Sequence, residues 1–232
     1  RSESMQDKLV RWWDKWAVKI FIFAAVLGVA IFAATYSLQF IATTIYSLIM
    51  AMVMVRRKEH LSIWLICFVI LMYVLIFTIP PLYLHSASVA RYKLQRSYIG
   101  LYNNVKEPSG LPDYADDMQE LKFEYSASVG KHIGYYSVSF TTARENAEAY
   151  EAQLAEKAKH AVPLRKFKNG AEIGGEKITL RLDESWKKYY NSESSAMLYI
   201  LTHDVRGNDP ILSAAVIDPA AGKVQFLQMG YR

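Results

Sequence analysis

The sequence predicts an integral membrane α-helical N-terminal region followed by a small α+β domain, an antiparallel sheet with one long helix packed on it. Three observations carry this. Nearly all of the excess apolar content lies in two runs, Ala17 to Val55 and Leu61 to Leu84, each above the roughly 18–20 residues that cross a hydrocarbon core. Beyond residue 113 the pattern changes to apolar–polar alternation, the signature of half-buried strands. Among those strands sits one amphipathic stretch at helical period.

The first element is an interfacial helix over about 5–16. Leu9, Trp12, Trp13 and Trp16 share one face of it, and Arg11, Lys15 and Lys19 supply the cationic flank that snorkels to headgroups. A signal peptide is the competing reading, but its apolar stretch is only about 7–15 residues, far shorter than this run. The first residue is Arg1 rather than Met, so a preceding segment is expected.

The run from Ala17 to Val55 has two readings. As one helix it spans about 58 Å at about 1.5 Å per residue, against roughly 30 Å of hydrocarbon. As spans of about 17–34 and 38–55 it fits, with Thr35, Tyr36, Ser37 and Gln39 at the headgroup level. Against the fold-back, no Gly, Pro, Asn or Asp lies between Val29 and Val55, and Tyr36, Gln39, Thr43 and Ser47 recur at helical spacing as one polar stripe. Ala24 with Gly28, and Ala30 with Ala34, are small-xxx-small pairs that permit close helix contact. Arg56, Arg57 and Lys58 then close the run, and a third span of about 61–84 is weakened near its exit by Pro80 and Pro81, with Tyr83 and His85 at the boundary.

The positive-inside rule does not choose, because both topologies place eight Lys/Arg on the cytoplasmic side. Length favours three spans, which expects a multi-pass protein of the bacterial inner membrane with its C-terminal domain outside the cytoplasm.

Residues 85–112 read as a stem, a basic amphipathic piece followed by the breaker-rich "KEPSGLPD". In the domain over 113–232, Leu121, Phe123, Tyr125, Ala127 and Val129 alternate with polar residues, "GKHIG" turns the chain, and "YYSVSF" returns. The long helix follows, with Thr142 and Glu145 as a capping box, Ala143, Ala147, Tyr150, Leu154, Ala158 and Ala161 as its apolar face, and Lys157, Lys159 and His160 at its C-terminus. Then come strands in "EKITLRL" and "AMLYILTHDV" and a final hairpin, "ILSAAVID" and "KVQFLQM" about a "PAAG" turn.

Charge and motifs narrow the function. Residues 113–232 carry 15 Lys/Arg against 17 Asp/Glu, so the domain lacks the footprint of a nucleic-acid binder. The lone Cys67 gives neither a disulfide framework nor a multi-Cys metal knuckle. No nucleophile elbow, Walker loop, dinucleotide fingerprint or zincin motif is present, and no cofactor is expected. "NGAEIGGEK" reads as turn glycines, and His132 as a turn residue. The best candidates for chemistry are His203, Asp204 and Asp209 in "THDVRGNDP", with Asn208 as a further oxygen ligand. Yet strand neighbours point to opposite faces, so His203 and Asp204 are not expected to converge. No Asp, Glu, Lys or Arg lies between Ile20 and Val55 or between Leu61 and Leu84, so a proton or ion pathway is not expected.

The layout is similar, in architecture only, to subunits of bacterial secretion, conjugation and pilus machines. It implies a non-catalytic subunit whose helices pack with other membrane subunits, as a homo- or hetero-oligomer in the lipid bilayer, and whose α+β domain docks protein partners. A membrane-anchored sensor or ligand-binding protein, and a membrane-bound enzyme, are the alternatives.

Overall fold

The computed structural model of the chain describes residues 5–35, 37–56, 63–78, 81–102, 107–113, 117–129, 133–191, 194–206 and 209–230. Tyr36, Arg57, Lys58, Pro80, His132 and Asn208 lie outside the described residues. There are two compact units, Arg1–Pro81 and Leu82–Arg232.

The first unit is helical: α1 (Met5–Thr35), α2 (Leu38–Arg56) and α3 (Ile63–Thr78). The chain does turn back between α1 and α2. No Gly or Pro makes that break; the Thr35 hydroxyl bonds back to the Ile31 carbonyl at 2.9 Å and accepts the Ser37 N–H at 3.3 Å, so short polar side chains satisfy the backbone where the helix stops. Close approach of the two helices rests on Gly28, where a Cβ would stand 2.4 Å from Thr44 Oγ1 and 3.1 Å from the Phe40 carbonyl oxygen. The polar stripe expected to mark an unbroken helix has another use. Thr43 and Ser47 are buried, and Ser47 Oγ lies 2.6 Å from the Tyr73 hydroxyl of α3, while the Gln39 amide reaches the Ile76 carbonyl at 3.5 Å. Ala17, Phe21, Ala51, Met54, Ile66 and Val69 form the apolar centre of the three helices.

Two expectations are corrected in this unit. The interfacial segment over 5–16 is no separate element but the first turns of α1, because no Gly or Pro interrupts residues 5–27. The third helix stops at Thr78 rather than reaching residue 84. Tyr83 and Leu84 belong instead to a strand.

The second unit is built on a seven-stranded antiparallel sheet: β1 (Tyr83–Ser86), β2 (Gln119–Ser126), β3 (Tyr135–Thr141), β4 (His160–Pro163), β7 (Met197–Arg206), β8 (Asp209–Asp218) and β9 (Lys223–Met229), in the order β1-β2-β3-β9-β8-β7-β4. Strands β5 (Ala171–Ile173) and β6 (Glu176–Ile178) form a separate hairpin whose two-residue turn uses Gly174 and Gly175, both at positive φ. The expected strand in "EKITLRL" is therefore only the second arm of this hairpin.

One face of the sheet is apolar throughout, through Phe123, Tyr125, Tyr136, Val138, Phe140, Tyr199, Ile217 and Phe226. Two helices cover it, α4 (Val89–Ile99) and α5 (Arg144–Lys157), rather than the single long helix expected. The stem is thus part of the folded unit: β1 pairs with β2, and α4 buries Tyr92 and Ile99 in the core. Arg96 of α4 fastens the following loop, giving paired bonds of 2.7 and 2.6 Å to the Glu107 carboxylate and one of 3.0 Å to the Pro112 carbonyl.

Helix α5 is shorter than expected. It ends at Lys157, and His160 and Ala161 lie on edge strand β4. The expected capping box of Thr142 and Glu145 is not formed; the cap is Ala143, and the Thr142 hydroxyl donates to Asp117. Asp117 also takes the Asn146 amide and the Ala143 N–H. Val129, expected inside, is exposed.

Candidate functional site

The anticipated cluster on β7 is reorganised by a bulge. Ile200 pairs with Ala214 and Thr202 with Ser213, so Leu201 is the extra residue. Parity shifts after it: Leu201 and Thr202 both take the helix-covered face, and His203, paired with Leu212, turns onto the opposite one. There the buried His203 ring meets Glu176 of the β5–β6 hairpin through Nδ1 and Oε2. Lys159 donates to the His203 carbonyl at 3.3 Å, and Gly174 of the hairpin turn lies against the His160 ring. Asp204, paired with Ile211, faces the other way from His203, as strand geometry expects. The backbone of Asp209 pairs with Arg206, three positions beyond His203. His203 and Asp204 are not brought together. Among the described residues no group of three His, Cys, Asp or Glu is placed to hold a metal.

The open side of the sheet shows a second arrangement that the sequence reading missed. Near β7 and β8 this face is apolar, and Leu198, Ile200, Leu212, Ala214 and Val216 are covered by Phe167, Ile178, Leu180 and the wholly buried Trp186. Towards β2 and β3 it becomes polar. Lys122, Glu124, Ser137, Ser139 and Gln225 line a cleft of about 130 Å³, walled by Tyr135 and the Arg181–Glu184 segment.

This cleft is held by its own hydrogen bonds. The Gln225 amide donates to Ser137 Oγ at 2.8 Å, and its carbonyl accepts the Asp183 N–H at 3.2 Å. Lys122 pairs with Asp183 at 3.2 Å, and Arg181 lies 5.2 Å over the Tyr135 ring. Burial pushes the Tyr135 hydroxyl up to about 12, so it stays protonated and donates to the Arg181 carbonyl at 2.7 Å. Burial raises the Asp183 pKa as well, but hydrogen bonds from Ser185 and Lys122 outweigh it and hold the carboxyl below its ordinary value. The result is a preorganised polar recess whose acids and bases already neutralise one another. Its one sequence signal was the set of polar residues at alternate positions of β2, β3 and β9. The adjacency of β3 and β9 is what joins them, and chain order hides it.

On the helical unit, Trp12 and Trp16 are exposed, with Lys19 and Lys15 lying 4.8 and 5.8 Å from the Trp16 ring. Trp13 departs from this face and packs edge-on against Phe21 at 5.9 Å. Arg11 is exposed, as are Arg56 at the end of α2 and Tyr83 on β1. Of the small residues, Gly28 makes the α1–α2 seam, Ala24 lines a groove between α1 and α3, Ala34 is half-buried and Ala30 points outward. The seam uses Ala17, Phe21, Ala25 and Gly28 instead of the second expected pair. Comparison with family models, curated proteins and solved structures finds no match to this chain.

Proposed function

We propose that the chain is a non-catalytic integral membrane subunit. Its helices span the bilayer and pack with other membrane subunits of an envelope assembly, and its sheet unit docks protein partners outside the cytoplasm. One observation supports this above the others: the apolar helices are not buried by their own chain. In the most apolar stretches of α1 and α2 only 22% and 28% of the residues are covered, and Phe23, Val26, Val29, Met52 and Val55 face outward. A water-soluble protein does not carry so large an apolar surface, whereas lipid or neighbouring helices accept it. In the sheet unit the mutual pairing inside the polar cleft and the opposite facing of His203 and Asp204 favour docking over catalysis.

Cysteine labelling in intact cells tests the topology. Reporters at Tyr36 and the C-terminus are expected on the outer side, with His60 inside; Tyr36 and the C-terminus on opposite sides overturns the placement. Extraction of the chain by alkaline carbonate overturns the membrane reading. A detergent-solubilised native particle containing one copy and nothing else overturns the subunit reading. A ligand-binding role is the second reading, supported by the preorganised cleft at Gln225, and a thermal-shift screen that finds a specific stabiliser would favour it.

A further inference from the structure

The segment between α5 and β7 builds a groove of about 620 Å³ that differs from the polar cleft beside it. Four cations from three stretches of chain line it: Arg165, Lys168, Arg181 and Lys187. Among the described residues no carboxylate lines it. Its remaining walls are Asn169 and the apolar Phe167, Leu180 and Leu182. The walls are fixed rather than trailing loops. Asn169 Oδ1 accepts the Leu180 N–H at 2.7 Å, the Gly170 N–H bonds to the Ile178 carbonyl at 2.7 Å, and Phe167 and Leu180 are buried in the core beneath.

The charges are also differently committed. Lys187 holds Glu184 at 2.7 Å and Arg181 approaches Glu124 at 3.8 Å, but among the described residues Arg165 and Lys168 make no ion pair. Four cations around a groove that no described carboxylate lines are a local feature in a domain that carries more acids than bases, and Arg165 and Lys168 leave two of those charges for an anion.

We infer that this groove binds a small molecule bearing two or more anionic groups, phosphate chemistry fitting the guanidinium forks best. One phosphate needs one or two of the cations; four, spread around a groove of this volume, suit a polyphosphate or the phosphorylated headgroup of a lipid. The inference does not depend on the membrane reading.

The test uses the full chain in a neutral detergent, titrated calorimetrically with inorganic pyrophosphate, dihexanoyl phosphatidic acid and dihexanoyl phosphatidylcholine. Saturable binding of pyrophosphate or phosphatidic acid is expected, weakening as salt is added. The R165E/K168E pair should lose about tenfold or more in affinity, since two attractions become repulsions. R144E, an equal charge change on exposed α5, should bind as the parent does. Binding of both anions assigns the site to phosphate chemistry from either source, and binding of phosphatidic acid alone assigns it to lipid. Equal binding of phosphatidylcholine, unchanged affinity in R165E/K168E, or no saturable binding of any probe overturns the inference. R165Q/K168Q, which only removes charge, must show a smaller loss in the same direction if the doubly reversed variant fails to fold.

Discussion

The two units of this chain are built with opposite polarity. In the sheet unit the aromatic and aliphatic side chains are inside and the charged ones outside. In the helical unit Ser47 is completely buried while Phe23 is 68% exposed. The rule that a polar group cut off from water needs a partner still holds at Ser47. Ser47 meets it with Tyr73, and the outward residues need none because they are hydrocarbon. On the membrane reading proposed above, what differs is the surroundings each surface is fitted to, so the contrast between the units says more about environment than either does alone.

Five substitutions break or sharpen that contrast. The largest effect is expected from Trp186→Ala, which empties the centre of the open-side core and should cost about 3–5 kcal/mol, read as a lowered unfolding midpoint of the full chain in detergent. Phe23→Asp is close behind, at about 2.5–3.5 kcal/mol against membrane insertion, measured as the fraction of chain resisting carbonate extraction. An equally exposed site on a water-facing helix would tolerate the change, so unaltered extraction would remove the contrast. Ser47→Ala should cost about 0.6–2 kcal/mol in resistance to denaturing detergent, with Tyr73→Phe no more damaging when combined with it than alone.

The smallest effect tests the α5 start. Asp117→Ala removes a carboxylate whose pKa the Thr142 hydroxyl foremost, with the Asn146 amide and the Ala143 N–H, holds below the ordinary aspartate value against the opposing effect of burial. A loss of about 1 kcal/mol is expected at neutral pH. A depressed folded-state pKa means the stabilisation is complete above the unfolded-state value near 4 and disappears as pH falls through the folded one. Parent and variant melting curves should therefore converge in acid, and a gap that persists there would show that the carboxylate charge is not what holds the helix.

Much of the architecture was legible because periodicity reports local burial. The alternation of Leu121, Phe123 and Tyr125, the amphipathic face of Ala147 and Leu154, and the "PAAG" hairpin all follow from neighbours in the chain. The fold-back between α1 and α2 was legible from length but not from turn residues, since the Thr35 hydroxyl, bonded to the Ile31 carbonyl and the Ser37 N–H, stands in for the usual Gly or Pro. Long-range pairing was not legible. Residues 83–99 look like a tether until β1 is seen beside β2, and Pro163 ends a strand rather than following a helix because His160–Pro163 finds an edge on β7. The candidate site fared worse for the same reason. Glu176 is far from His203 in sequence, and nothing local announces the extra residue that turns them together.

That extra residue at Leu201 decides which side of the sheet the rest of β7 addresses. Flattening the bulge with every residue kept would carry the histidine to the helical side and present a threonine to the glutamate of the hairpin, whereas losing the one position would restore strict alternation and leave the histidine where it stands. Homologous strands should accordingly keep the histidine where this position is missing, and an apolar residue where it is present, because Leu201 is buried beneath the helices.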